Sequence, residues 1–296
     1  MIKFVQNKDI DKAKWDNLIS NSFNGFIYAN SAHLNMVSGN WNALILDDYK
    51  AVMPLPEKTK FGIRYAMQPM FSQQLGVIFK EKPKQKDIKD FILELQNNYK
   101  YFALNLNFYN YLSDKIKNKE MLNQVLDLNK SYETLRTSFS KNTKRNINNI
   151  DTNMLEIKTN SINTDEFIEI YQANLPDKKL DIYTELARNL VDYYLKSEFG
   201  NVYSVHDKST NNLLACVLIL SYNKRHIYLL PVSNTEGKEK KAMFLLIDNF
   251  IKNNSETDFL LDFEGSNIEG IHRFYKGFGA TEQNYIHIYN KPFSIF

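Results

Sequence analysis

The chain has 296 residues, more than a single hydrophobic core usually organises, which points to two domains. Its composition, 43% hydrophobic and 24% charged, excludes a wholly disordered chain, and 10 Gly with 7 Pro leave little material for a long tether. The net charge of +3 is too mild to require or to exclude a polyanionic partner.

No apolar run approaches the ~20 residues that span a bilayer, and the opening MIKFVQNKDIDKAKW reaches charged residues too soon for a signal peptide. The single cysteine, Cys216 in LLACVLIL, permits no internal disulfide and reads as a core residue. A cytoplasmic protein without a membrane span is expected.

In chain order, KWDNLISNS and YANSAHLNMVSG look helical. WNALILDDYKAVMPLPEKTK holds a hairpin and QQLGVIF a short strand. Residues 84–98 form a helix and YKYFALNLNF a strand. Residues 133–150, ETLRTSFSKNTKRNINNI, are basic and largely helical, without an apolar face over their second half, as in a solvated connector.

LEIKTN is then a strand, and 164–175 a helix with Thr164 placed to cap it. Residues 180–200 form a second helix, closed by Gly200. Three strands follow, NVYSVHD, LLACVLILSY and RHIYLLPVS, then the polar loop NTEGKEKK and a helix over 242–254. The chain closes with a strand at 258–266, a short helix at 267–280 and a strand at 281–290. The first half repeats this order only loosely.

This order, with LDFEGSNIEGIHRFYKGFGA near the end, QQLGV early and LRTSFSKNTKRNINN in the middle, resembles the FemAB-like group of the GNAT superfamily. The resemblance covers nearly the whole chain. It implies mixed α/β sheets in two GNAT-like acyltransferase domains packed together. The first would be a degenerate domain over 1–130, followed by a basic helical connector over 131–154 and a second domain over 155–296. It also implies a bacterial enzyme that moves an acyl or aminoacyl group from an acyl-CoA or an aminoacyl-tRNA onto an amine. The acceptor would be a small molecule or a peptidoglycan precursor, with no tightly bound cofactor and no DNA partner.

Several residues are candidates for the site. Lys276, in FYKGFG, matches the lysine of the family's FK element, where an ammonium would stabilise transition-state charge; its alternative is a surface lysine at a helix end. Asp262 and Glu264 alternate along a strand and so share a face. Glu264, at the strand's end, is the first choice for a base, with a helix cap or a partner for Arg273 as the alternative. Phe274 would line the substrate or join Tyr275 and Phe278 in the core, while Gly277 and Gly279 end the helix and turn into the last strand.

On a helix, Lys141, Lys144 and Arg145 share one face and would meet a phosphorylated partner, although no aromatic residues are interleaved there for base stacking. Arg64 and Tyr65 would serve an acceptor in the first domain.

The GNAT pyrophosphate loop has the form Q/R-x-x-G-x-G/A. Here Asn234–Ala242 supplies only Gly237, with Lys238, Lys240 and Lys241 as phosphate-binding point charges. Its alternatives are a loop that makes no CoA contact and a solvated lysine-rich loop. His226 and His272 are isolated, and neither has metal-ligand spacing with another His, Cys or acid. Two further readings stay open: an acetyl-CoA-dependent N-acetyltransferase with a divergent loop, and a non-catalytic protein that binds an anionic ligand.

Overall fold

The computed structural model describes residues 1–82, 85–112, 116–174, 181–265 and 268–290. Lys84, Leu175, Leu180, Ser266 and Asn267, which belong to expected elements, lie outside the described residues.

The strands of the first unit begin with β1 (Ile2–Val5), β2 (Trp41–Leu46), β3 (Ala51–Lys60) and β4 (Ile63–Met67). They continue with β5 (Ile78–Phe79), β6 (Phe102–Asn105) and β7 (Asn118–Met121). Its helices are α1 (Lys12–Ser20), α2 (Ser31–Ser38) and α3 (Gln85–Asn98). In the second unit come β8 (Gln124–Asp127), α4 (Tyr132–Thr137), α5 (Lys141–Asn148), β9 (Leu155–Thr159), α6 (Thr164–Ala173) and α7 (Asp181–Leu195). The antiparallel β10 (Gly200–Asp207), β11 (Leu213–Tyr222) and β12 (Arg225–Ser233) follow, then α8 (Thr235–Glu239) and α9 (Ala242–Asn254). The chain closes through β13 (Leu260–Asp262), α10 (Glu269–Lys276), β14 (Thr281–Glu282) and β15 (Tyr285–Asn290).

Two compact units result, but the cut differs from the one the sequence suggests. The first unit is Met1–Leu122 with Gln283–Phe296, and the second is Asn123–Glu282. The sheet orders explain why. In the first unit the order is β1-β2-β3-β4-β6-β15-β7, with β5 also on β3, so the last described strand lies between β6 and β7. In the second unit the order is β14-β8-β13-β12-β11-β10-β9, so β8 lies between β13 and β14. Each sheet is completed by a strand from beyond the simple halves, which corrects the boundaries at 130 and 155. The expected strand over 281–290 is two strands in two different sheets.

Residues 131–154 are not a solvated connector. Leu135 and Phe139 are buried in the second core with Leu246, Ile247, Phe250 and Ile251 of α9. The loop over 234–241 contains α8, capped by the Asn234 side chain, which accepts from the Gly237 N–H. Asn163 rather than Thr164 caps α6, in a reciprocal capping box with Glu166. Gly200 begins β10 instead of closing a helix, and a Cβ there would lie 2.5 Å from that of Tyr194.

In the first unit, α3 buries Ile88, Phe91, Ile92 and Leu95, the i, i+3, i+4, i+7 stripe of an amphipathic helix, in a core shared with Leu44, Met53, Leu104 and Ile288. Strand β3 carries Pro54 and Pro56 at interior positions. The Glu57 N–H points toward the β2 side, bonding the Asn40 carbonyl, so residues 54 and 56 face the other edge. There β5 pairs only with Ala51–Val52 and β4 only from Glu57 onward, so the missing N–H groups fall in a gap. The QQLGV segment is fixed by packing: Gly76 has φ 73°, and a Cβ there would come within 2.2 Å of Asn110 Oδ1.

No helix among the described residues is long and apolar enough to cross a membrane. Replacing Ile288 by Ala should cost the first unit about 2–5 kcal/mol, because the side chain is fully buried in its core. Urea unfolding of the variant measures this. Burial pushes both His33 and His226 down to about 4. The unfolded chain takes up those protons near pH 6.5 and the folded chain only near 4, so stability should fall as pH drops across that window. Each histidine contributes on the order of 3 kcal/mol to the fall. In pH-dependent unfolding, His33→Gln should flatten this slope.

Candidate functional site

The second unit holds a cleft of about 660 Å³ between the start of α5 and one side of α10, and its construction begins at two glycines. The Ser140 N–H donates to the Gly277 carbonyl at 2.9 Å, which joins the start of α5 to the end of α10. A Cβ on Gly277 would lie 2.4 Å from Thr143 Oγ1, and one on Gly279 would lie 2.1 Å from Ser138 Oγ. Gly277 has φ −61°, open to any residue, so the close approach is what calls for glycine there. Gly279 has φ +81° and answers both demands. The GFG step is therefore the seam between two elements as well as a helix end. Phe139 packs edge-on to Phe278 across it, with centroids 5.4 Å apart.

Ser140 caps α5, its Oγ accepting from the Thr143 N–H at 3.1 Å. On α10, Gly270, Arg273, Phe274 and Gly277 follow i, i+3, i+4, i+7 and form one wall, with Lys276 at the helix end. Ser140, Asn142 and Thr143 face them, and Phe244 of α9 completes the cleft. Phe244 meets Phe274 edge-on at 4.8 Å. Arg273 carries an exposed i, i+4 pair with Glu269 at 3.7 Å, too long and too solvated to immobilise it. Lys276 is exposed and makes no ion pair or side-chain hydrogen bond among the described residues. Two cations, two hydroxyls, an amide and an aromatic wall suit an anionic group attached to a planar one.

The expected residues divide by place. Lys276 and Phe274 line the cleft; Tyr275 and Phe278 are core. Lys141 begins the helix whose next residues line it, whereas Lys144 Nζ donates to the Thr137 carbonyl at 2.8 Å and Arg145 to Asn142 Oδ1 at 2.7 Å. Asp262 is fully buried and paired with Arg225 at 2.5 Å, its other oxygen accepting from the Glu264 N–H, so it is a structural carboxylate. Strand β13 ends at Asp262, and Glu264 sits in a left-handed turn at φ 58°, so the shared strand face is absent.

Gly237, Lys238 and Lys240 of the 234–241 turn each have protein partners. Gly237 is buried, and a Cβ would lie 2.1 Å from the Leu214 carbonyl oxygen, so this glycine serves packing against β11. Lys240 pairs with Asp207 at 2.5 Å and Glu236 at 2.6 Å, and Lys238 donates to Asn174 Oδ1. The hydrogen bond from Lys240 holds the Asp207 carboxyl well below the usual carboxylate range. Lys241 has φ 59° at the start of α9. In the first unit, Tyr65 is buried and Arg64 pairs with the buried Glu57 at 3.5 Å. Glu57 also accepts from Tyr99 Oη at 2.6 Å and from the amides of Asn40 and Asn42.

Sequence reasoning passed over Arg273 as a lining group, along with Ser140, Asn142, Thr143, Gly270 and Phe244. The S-x-x-T cap at 140–143 and the helical spacing of 270, 273, 274 and 277 were the legible signals. Among the described residues no three His, Cys, Asp or Glu side chains form a metal-binding group.

No family model matches the chain, and no curated protein matches it. Solved structures do. FemX aligns with 97% of this chain and 98% of its own at a TM-score of 0.67 and 9% identity. L-PGS from Bacillus licheniformis aligns over 96% and 93% at 0.61 and 13% identity. A tandem GNAT protein from the clavulanic acid biosynthesis pathway aligns over 99% of both chains at 0.53 and 10% identity. The likeness shows the fold, a FemAB-like pair of GNAT-type units.

The Asp262–Arg225 pair predicts an asymmetric mutational result. Arg225→Met strands a buried carboxylate and should cost about 3–5 kcal/mol, whereas Arg225→Met with Asp262→Leu should recover most of that loss. Chemical unfolding of the three proteins tests it.

Proposed function

We propose that the protein is an acyl- or aminoacyl-transferase acting on an amine, with the α5–α10 cleft as its donor site. The convergence of Arg273 and Lys276 beside the Ser140 and Thr143 hydroxyls carries this reading. In the reaction the amine attacks the carbonyl carbon of an ester or thioester. The C–N bond forms, the C–O or C–S bond breaks, and the amine gives up a proton as the leaving group departs with the bonding pair. Negative charge gathers first on the carbonyl oxygen and then on the leaving atom. Preformed cations beside it lower the barrier without having to reorganise.

An aminoacyl-tRNA end is the donor these groups favour. Phe244 and Phe274 offer a stacking surface for a base, and Arg273 and Lys276 offer partners for phosphate. The lysines of the 234–241 turn support the same choice, because Lys238 and Lys240 already have protein partners. Among the described residues the cleft lining offers cations and hydroxyls, which suit charge stabilisation and positioning. The acceptor is an amine on a small molecule or a cell-wall precursor peptide, the class that the FemAB-like resemblance implies, and a cytoplasmic bacterial enzyme fits it.

A thermal-shift screen against charged tRNA, acyl-CoAs and nucleotide-linked muropeptides identifies the ligands. A ligand at 100-fold its dissociation constant stabilises by about 2.7 kcal/mol. With the donor in hand, Lys276→Ala should lower turnover about 100-fold, the scale of one lost transition-state donor, while the melting temperature stays unchanged. A variant that turns over at the parent rate removes the cleft from the chemistry.

A further inference from the structure

The tip of the β3–β4 hairpin has features that neither the fold nor the transfer reading uses. Its two-residue turn is Phe61–Gly62, with φ 51° and 75°, the positive pair that a type I′ turn requires. Small polar residues suit the first position, and the β11–β12 hairpin of the same chain uses Asn223 there at φ 44°. A phenylalanine in the left-handed region bears a steric cost. Packing does not offset it, since Phe61 is 86% exposed. Ile63, 44% exposed, lies directly opposite Lys60 and on the same face.

The charge around this apex has one sign. Residues 58–64, KTKFGIR, contain Lys58, Lys60 and Arg64 and no acid. Lys60 Nζ lies 5.7 Å from the Phe61 ring centroid, and Arg64 remains 57% exposed beside its pair with the buried Glu57. Lys58 stands three residues back from Phe61, about 10 Å at strand spacing. That reach is comparable with the ~5–10 Å to which interfacial elements bury their apolar face at the headgroup/acyl boundary.

We propose that this hairpin is a membrane-contacting finger, Phe61 and Ile63 entering the interface of an anionic bilayer while Lys58, Lys60 and Arg64 meet lipid phosphates. The finger lies on the membrane and does not span it, and it is independent of the transfer reading. Lipid suits it better than RNA because its second exposed apolar residue is an aliphatic isoleucine, which offers no stacking face to a base.

Co-sedimentation with phosphatidylcholine vesicles, with and without phosphatidylglycerol, tests the proposal. The full chain should partition to the anionic vesicles and be released by salt. Phe61→Asn creates an Asn-Gly turn, so its melting temperature should hold or rise while partitioning falls about tenfold. Lys58→Glu with Lys60→Glu should lower it about 25-fold or more and erase the preference for anionic vesicles. Failure of the parent chain to partition, or equal partitioning by Phe61→Asn, overturns the proposal. Retention of tRNA that depends on Phe61, with vesicles ignored, assigns the finger to nucleic acid and overturns it as well.

Discussion

The second unit depends on a contact that two missing Cβ atoms make possible. Segment 138–143 lies so close to 277–279 that a methyl on either glycine would collide with Ser138 or Thr143. This approach brings the Ser140 N–H to the Gly277 carbonyl, sets the start of α5 against the end of α10 and so opens the cleft between them. It also explains why a basic stretch without an apolar face belongs to a packed unit. The segment is anchored by Leu135 and Phe139 ahead of the seam, and Ile147 and Ile150 pack against the same core after it.

Electrostatics in this unit separates into closed and open groups. Asp262 with Arg225, and Asp207 with Lys240, are satisfied inside the protein and help to define how strands and turns meet. The buried Asp262–Arg225 pair costs much to break and little to replace together. Lys276 and Arg273 are the contrast, with their charge turned toward a cleft whose other walls are hydroxyls and rings. Proteins that handle anions hold such cations in reserve, because a group already neutralised has little left for a ligand.

Much of the fold was legible because periodicity reports burial. The stripe of α3 and the long apolar strands β11 and β12 read directly from spacing. Strands β7 and β8 did not: NKEM is polar and QVLD is only four residues long, and both are strands because of the neighbours they pair with. Of the cleft lining, Lys276 and Phe274 belong to the FYKGFG element that the sequence singles out. Asp262 misled because a carboxylate at a strand end looks the same in sequence whether or not an arginine waits on the next strand. Gly237 misled likewise, since a glycine required by a ligand and one required by the Leu214 backbone leave the same letter.

The non-sequential strand order of both sheets bears on the order in which the protein can be made. Strand β15 enters between β6 and β7, so the first sheet, begun at residue 2, lacks an interior strand until residues 285–290 are in place. Strand β8 lies between β13 and β14, so the second sheet in turn must keep a position beside a strand synthesised before most of it. On the ribosome the first sheet waits, with the edges of β6 and β7 unpaired, while the second assembles. The sheet that starts first therefore finishes last, and that interval is when its open edges most need shielding from other chains.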